Sequence, residues 1–364
     1  MKATEITSSR RGVLGAFGIG SAALALAACG GSSDSAGGGK PTVTTSAYPM
    51  DYLAQKVGGD KVTIHSLAKP SVDPHGLELS VREAAQLEKS DLVLQVPGYQ
   101  SALDDAISAH PPKNVLDISK VVKLLPNTGE DEHDHEDEHG ASDAGGDHAD
   151  EHGHDDHAHD DHADEHGHAS DAGGDHTDEH DHADEHGHEG HSHGAYDPHF
   201  WHSPLYMADV ADALAEELGK ISSDDKKTFT DNAKKLRTEL EQLDAELKKA
   251  YDAVPGEKPF VTSHTAFAYL AEHYGLHQIG IAGVDPETEP SPKRLAELAT
   301  IIKEEKVSTV FFETTASPKV AKALAEKVGV EAEELDNLET QLNKDADYPA
   351  VMRENSKKLV ESWK

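Results

Sequence analysis

Cysteine is almost absent from this 364-residue chain: Cys29 is the only one. Disulfides within the chain are therefore excluded, and so are zinc sites built on four cysteines or on two cysteines and two histidines. Any metal site must use His, Asp and Glu. Basic charge is also scarce, with 33 Lys+Arg against 69 Asp+Glu and a net charge of −36. A chain of this balance, without basic clusters, cannot hold nucleic acid through phosphate contacts. It suits cations as partners. Aromatic residues are few, at 5%. Long apolar runs are missing after residue 28, so no segment of the body could span a bilayer.

The excess negative charge is concentrated. Between Glu130 and Gly194 there is no Lys or Arg, but there are 25 Asp/Glu and 18 of the chain's 26 His. This insert repeats itself, ASDAGGDHADEH at 141–152 returning as ASDAGGDHTDEH at 169–180. With no large apolar residue to offset the entropy of ordering, it is expected to be disordered. Acidity alone would make it a solvated linker. A His every three or four residues instead makes it a multi-site metal chelator of low selectivity, because neutral imidazole suits Zn²⁺, Cu²⁺ and Ni²⁺.

The N-terminus reads as an address. Arg10-Arg11 precedes a small-residue apolar run over 12–28, then Leu26-Ala27-Ala28-Cys29. A positive start, a short apolar stretch and small residues at the cleavage point make a secretory signal. The run is short for a span of ~20 residues. The tetrad resembles a bacterial lipobox, which implies lipidation of Cys29 and a protein held on the outer face of the cell membrane. Residues 29–40, rich in Gly and Ser, would form a flexible tether.

From residue 41 onward, β-rich runs alternate with helical patterns, the signature of parallel sheets flanked by helices. Buried strands are expected at 42–46, 61–67, 92–96 and 114–118, with helices at 50–57 and 81–89. Ser203-Pro204 opens a helix to about 219, a good N-cap followed by Pro. Over 222–253, Phe229, Ala233, Leu236, Leu240, Leu243, Leu247 and Tyr251 form one apolar stripe, which is a helix of about 30 residues. A second series follows, with strands at 259–262, 278–282, 308–312 and 330–335 and helices at 266–274, 292–305, 318–328 and from 348. The expected fold is α/β, two lobes joined by one long spine helix: an N-terminal lobe over 41–220 carrying the insert 130–194, a linking helix over 221–256, and a C-terminal lobe over 257–364.

Eight His lie outside the insert. His65 falls in a strand pattern and His110 precedes Pro111-Pro112. His273 and His277 flank Gly275, which suggests a helix end. His202, three residues after His199, is a neighbour rather than a leading candidate. Three others stand apart. Asp73-Pro74-His75 and Asp197-Pro198-His199 are the same tripeptide, each just ahead of a helix. Proline stiffens the loop that carries the His, and the Asp can anchor it or back the imidazole. His264 lies at a strand-to-helix turn, where open α/β sheets bind ligands. A fourth ligand should come from the second lobe. Asp336 directly follows the 330–335 strand, and Glu339 is its rival three residues later. Three imidazoles and one carboxylate suit Zn²⁺ without any thiolate.

These motifs resemble the metal-binding solute receptors of ABC transporters, the zinc/manganese-uptake family, in its zinc branch. The resemblance covers 41–364: the Asp-Pro-His at 73–75, the His-rich loop, the block 197–204 (DPHFWHSP), the block 261–267 (VTSHTAF), Val310-Phe311-Phe312-Glu313 and Leu335-Asp336. It implies that His75, His199 and His264 are the imidazole ligands, with a carboxylate near Asp336 as the fourth. Some members place that carboxylate where Glu339 falls. Manganese and iron relatives tend to carry a carboxylate where His264 stands, so the resemblance implies zinc. The implied function is extracytoplasmic capture of Zn²⁺ by a monomer and delivery to a membrane permease, without enzymatic activity. The rival readings are a manganese or iron binder of the same family, a surface adhesin or metal store, and a zinc hydrolase with Glu313 as base.

Overall fold

A computed structural model describes residues 39–69, 72–127, 194–286, 288–313 and 317–364. The signal run, Cys29 and the His-rich insert lie outside the described residues. Residues Lys40–Lys364 form one compact unit.

The first half comprises β1 (Thr42–Thr45), α1 (Tyr48–Gly58), β2 (Thr63–Ser66), α2 (Val81–Gln86), β3 (Leu92–Gln95), α3 (Ser101–Ala109) and β4 (Val115–Asp117). Its sheet runs β2-β1-β3-β4, every pairing parallel. After the insert come α4 (Pro204–Ile221) and the long α5 (Lys226–Asp252). The second half repeats the plan with β5 (Pro259–Thr262), α6 (Ala268–Tyr274), β6 (His277–Gly280), α7 (Pro292–Glu304), β7 (Thr309–Glu313), α8 (Lys319–Val328), β8 (Glu331–Leu335) and α9 (Tyr348–Ser362). Its sheet runs β6-β5-β7-β8, again all parallel. In both sheets chain order reverses beside the first strand, so the ends of β1, β3, β5 and β7 face the ligand-binding edge expected of such folds.

Two expectations need correction. β2 was read as a buried strand, yet its residues are exposed or half-buried, as are all of β8 except Leu335. Both are edge strands, covered on fewer sides than β1 or β7. Helix α3 was not foreseen. Its short apolar set, Leu103 and Ala106 buried, is too sparse to announce a helix by period alone.

Helix α5 does what its stripe dictates. Phe229, Ala233, Leu236, Leu240, Leu243, Leu247 and Tyr251 are all buried. They belong to one continuous cluster that also holds Val43 and Leu53 from the first half and Phe260, Phe267 and Tyr348 from the second. The spine helix is thus built into a shared core, and movement of the halves must disturb that packing. Polar ties cross the same boundary. Trp201 Nε1 donates to Asn337 O at 2.9 Å, and Tyr348 OH donates to Trp201 O at 2.6 Å. Tyr269 OH donates to Asp197 O at 2.6 Å and accepts from Leu125 N at 2.8 Å. On either side of the insert, Pro126 and Tyr196 form an antiparallel bridge. None of the described helices is long and apolar enough to cross a membrane.

Candidate metal centre

Each candidate ligand sits on a loop leaving a strand or entering a helix. His75 lies between β2 and α2, and His199 just ahead of the turn Phe200–His202 that leads into α4. In both Asp-Pro-His loops the Asp side chain folds back: Asp73 Oδ1 accepts His75 N–H at 2.8 Å, and Asp197 Oδ1 accepts His199 N–H at 2.8 Å. These are local Asx turns, the conformation a short acidic side chain followed by Pro favours. Ser203 then caps α4, accepting from Tyr206 N–H, with Pro204 at the first helical position. His264 follows β5, its carbonyl accepting from Thr262 Oγ1 at 2.6 Å.

The structure brings His75, His199, His264 and Glu339 together, one ligand atom from each lying within 4.8 Å of every other. Glu339 Oε1 is 3.1 Å from His75 Nε2, 3.1 Å from His199 Nε2 and 3.5 Å from His264 Nε2. Ligands ~2.0–2.2 Å from a tetrahedral zinc stand roughly 3.3–3.6 Å apart, so the cluster has the dimensions of such a site. His199, His264 and Glu339 are 0–1% exposed. The His75 side chain keeps 11% exposure and is the member that meets solvent. The donor set of three nitrogens and one oxygen fits Zn²⁺.

Asp336 does not join the cluster. Its Oδ1 accepts Leu338 N–H at 2.8 Å, while its backbone exchanges hydrogen bonds with the Asn355 side chain. That turn at the end of β8 places Leu338 at a φ of 63° and buries its side chain. The next residue, Glu339, is the one aimed inward. Burial raises the Asp336 carboxyl to about 6, outweighing the hydrogen bond from Leu338 and the charge of Lys358.

The electrostatics are those of a site poised for a cation. Burial opposes the Glu339 charge, but His75, His199 and His264 outweigh it and hold its carboxyl well below the usual range. Burial likewise opposes protonation of His199, yet Asp197 and Glu339 raise it; Glu313 and Glu339 do the same, more strongly, for His264. Asp197 Oδ1 also meets His199 Nδ1 at 2.7 Å. A carboxylate only accepts, so this pairing puts the ring proton on Nδ1 and leaves Nε2 for a metal.

Tyr99 is a contributor that the sequence did not announce. Its ring stands edge-on to His75 at 4.9 Å and lies tilted against Trp201, ring centres 5.8 Å apart. Among the other histidines, His202 is fully buried against Phe267 at 4.4 Å, and burial drives its pKa down to about 3. His110 pairs with Glu88, His273 with Asp244 and His277 with Glu305. His65 lies in β2.

Fold and site together define a two-lobed α/β binding protein with a closed His₃–Glu cluster. The model of the family "zinc-uptake complex component A periplasmic" matches residues 43–362, and the chain belongs to that family. The high-affinity zinc uptake system protein ZnuA of Bacillus subtilis is 30% identical, over 96% of this chain and 97% of that protein. Zinc-binding lipoprotein AdcA of Streptococcus pneumoniae is 28% identical over 93% of this chain, which spans only 59% of AdcA's length. Among solved structures, the laminin-binding protein of Streptococcus agalactiae, described as having adhesin and metal-transporting activity, superposes with a TM-score of 0.66. It is 27% identical, covering 90% of this chain and all of that one.

Proposed function

We propose that the protein captures Zn²⁺ outside the cytoplasm and hands it to an ABC permease, held at the membrane through Cys29. The observation that carries this reading is the closed, buried set of His75, His199, His264 and Glu339. Three imidazoles select for a borderline metal such as zinc over hard cations that favour oxygen. With a carboxylate in the fourth position, the site offers a hydrolase no open position for water. The shared core along α5 favours small, stiff movements on loading and release. The zinc-related names of ZnuA and AdcA agree with this assignment.

The test is titration of the full chain with Zn²⁺ against a competing chelator strong enough to strip the insert's weak sites. One equivalent that resists the chelator, lost in His264→Ala, is the expected result. Absence of any resistant equivalent would refute the assignment.

A further inference from the structure

Glu313, at the C-terminal end of β7, is 1% exposed, an isolated acidic residue in a buried strand end. Among the described residues no Lys or Arg pairs with it, His264 being the one basic side chain beside it, and burying such a charge is costly without hydrogen bonds. One oxygen is used: Oε1 accepts the His264 backbone N–H at 3.2 Å. The other, Oε2, has no hydrogen-bond partner, and neither does His264 Nδ1. These two orphaned atoms lie 3.4 Å apart. Each is the group the other needs.

The contrast with His199 is informative. There the supporting carboxylate, Asp197, holds both the backbone N–H and Nδ1, the latter at 2.7 Å. At His264 the backbone is fixed as firmly: Glu313 holds its N–H, while Thr262 and Gln278 hold its carbonyl at 2.6 and 3.2 Å. Only the ring is left without a directional partner. A small rotation about its side-chain torsions would bring Nδ1–H onto Glu313 Oε2 and satisfy two buried polar atoms at once.

We propose that Glu313 is the positioning carboxylate of His264: it fixes the Nδ1–H tautomer and swings the ring into the ligand set, the Nδ1–H···Oε2 bond closing fully when Zn²⁺ engages Nε2. The site then has one ligand locked in advance, His199, and one that locks on loading, His264, which comes from the second half. Outer partners of this kind change metal affinity by ~10–100-fold. The proposal rests on the zinc-site reading above.

The discriminating variant is Glu313→Gln in the full chain. Its oxygen can still accept the His264 N–H, so the apoprotein's far-UV spectrum should match wild type. Its amide, however, donates, and toward Nδ1 it favours the tautomer with a proton on Nε2, blocking the metal. The chelator-resistant Zn²⁺ should bind ~10–100-fold more weakly. Long-range ¹H–¹⁵N spectra of histidine-labelled, zinc-loaded wild type should show His264 with its proton on Nδ1 and metal on Nε2. That spectrum decides the matter even if the variant fails to fold. Wild-type affinity in Glu313→Gln, or metal on Nδ1 in wild type, would overturn the proposal while leaving the zinc site intact. If wild type itself held no chelator-resistant zinc, the site reading would fall, and this one with it.

Discussion

The sharpest test of the cluster separates Glu339 from Asp336. Glu339→Gln removes one buried negative charge 3.1 Å from two imidazoles and 3.5 Å from the third. Removing one member of a buried charge pair costs about 3–5 kcal/mol. At 1.36 kcal/mol per decade, that is roughly two to three and a half orders of magnitude in Zn²⁺ affinity. The loss should depend on pH. Burial alone would deprotonate His199 and His264, but the surrounding carboxylates keep both raised. Zinc must displace those protons, so wild-type affinity rises with pH until the imidazoles are neutral. Removing the Glu339 charge weakens their hold on protons, which partly compensates at low pH. The gap between wild type and variant is therefore wider at pH 8 than at pH 6. Asp336→Asn should behave oppositely. Asn can still accept Leu338 N–H, and no ligand is lost. A carboxyl raised from 3.8 to about 6 binds its proton more tightly in the native state, so its charge opposes folding above that pH, at a cost of at most about 3 kcal/mol. The variant should match wild type in zinc affinity and melt no lower, or higher, at pH 8. Competitive zinc titration and calorimetry at both pH values supply the data. A zinc loss in Asp336→Asn equal to that in Glu339→Gln would refute the assignment.

Three further outcomes follow from named contacts. His264→Ala should abolish chelator-resistant zinc binding, whereas His273→Ala, which removes a pairing with Asp244 and a ring contact with Tyr274 outside the cluster, should leave it unchanged; equal losses in titration would contradict the ligand set. Deleting residues 130–194 should lower total bound zinc, measured by elemental analysis, and keep the single tight equivalent, since none of the four clustered residues lies in the insert. Leu240→Ala, in the fully buried stripe of α5, should cost about 2–5 kcal/mol of stability in denaturant unfolding. A change under about 1 kcal/mol would show that the spine is not packed into a common core.

Much of this was legible from residue patterns because the patterns report local physics. The α5 stripe states which face is buried, and all seven of its residues are. The two Asp-Pro-His tripeptides fold alike, since an acidic side chain before Pro closes on the amide two residues on. His264 lies at the C-terminal end of β5, the strand edge where such folds gather ligands, and falls in the cluster. Where such local rules were silent, so was the sequence. Tyr99 sits in Pro97-Gly98-Tyr99-Gln100, which carries no signal of a ring placed edge-on to His75.

Asp336, the strand-end candidate, lies outside the cluster. It is the first acidic residue after β8, and it is spent on the turn. Its Oδ1 accepts Leu338 N–H, and Leu338 takes a left-handed conformation, uncommon for a residue with a bulky side chain. The turn is sustained by contacts distant in sequence: Asn355 from α9 brackets the Asp336 backbone, and Trp201 from the first half donates to Asn337 O. The backbone N–H of Tyr48, at the start of α1, donates to Glu339 O at 3.0 Å. Glu339 is therefore aimed by residues from α1, α9 and the 3₁₀ turn after His199 acting together. Because Trp201 lies two residues beyond His199, the contact that shapes the Glu339 loop belongs to the same short segment that presents an imidazole from the opposite half. The presentation of His199 and the support of the Glu339 loop therefore depend on one and the same segment.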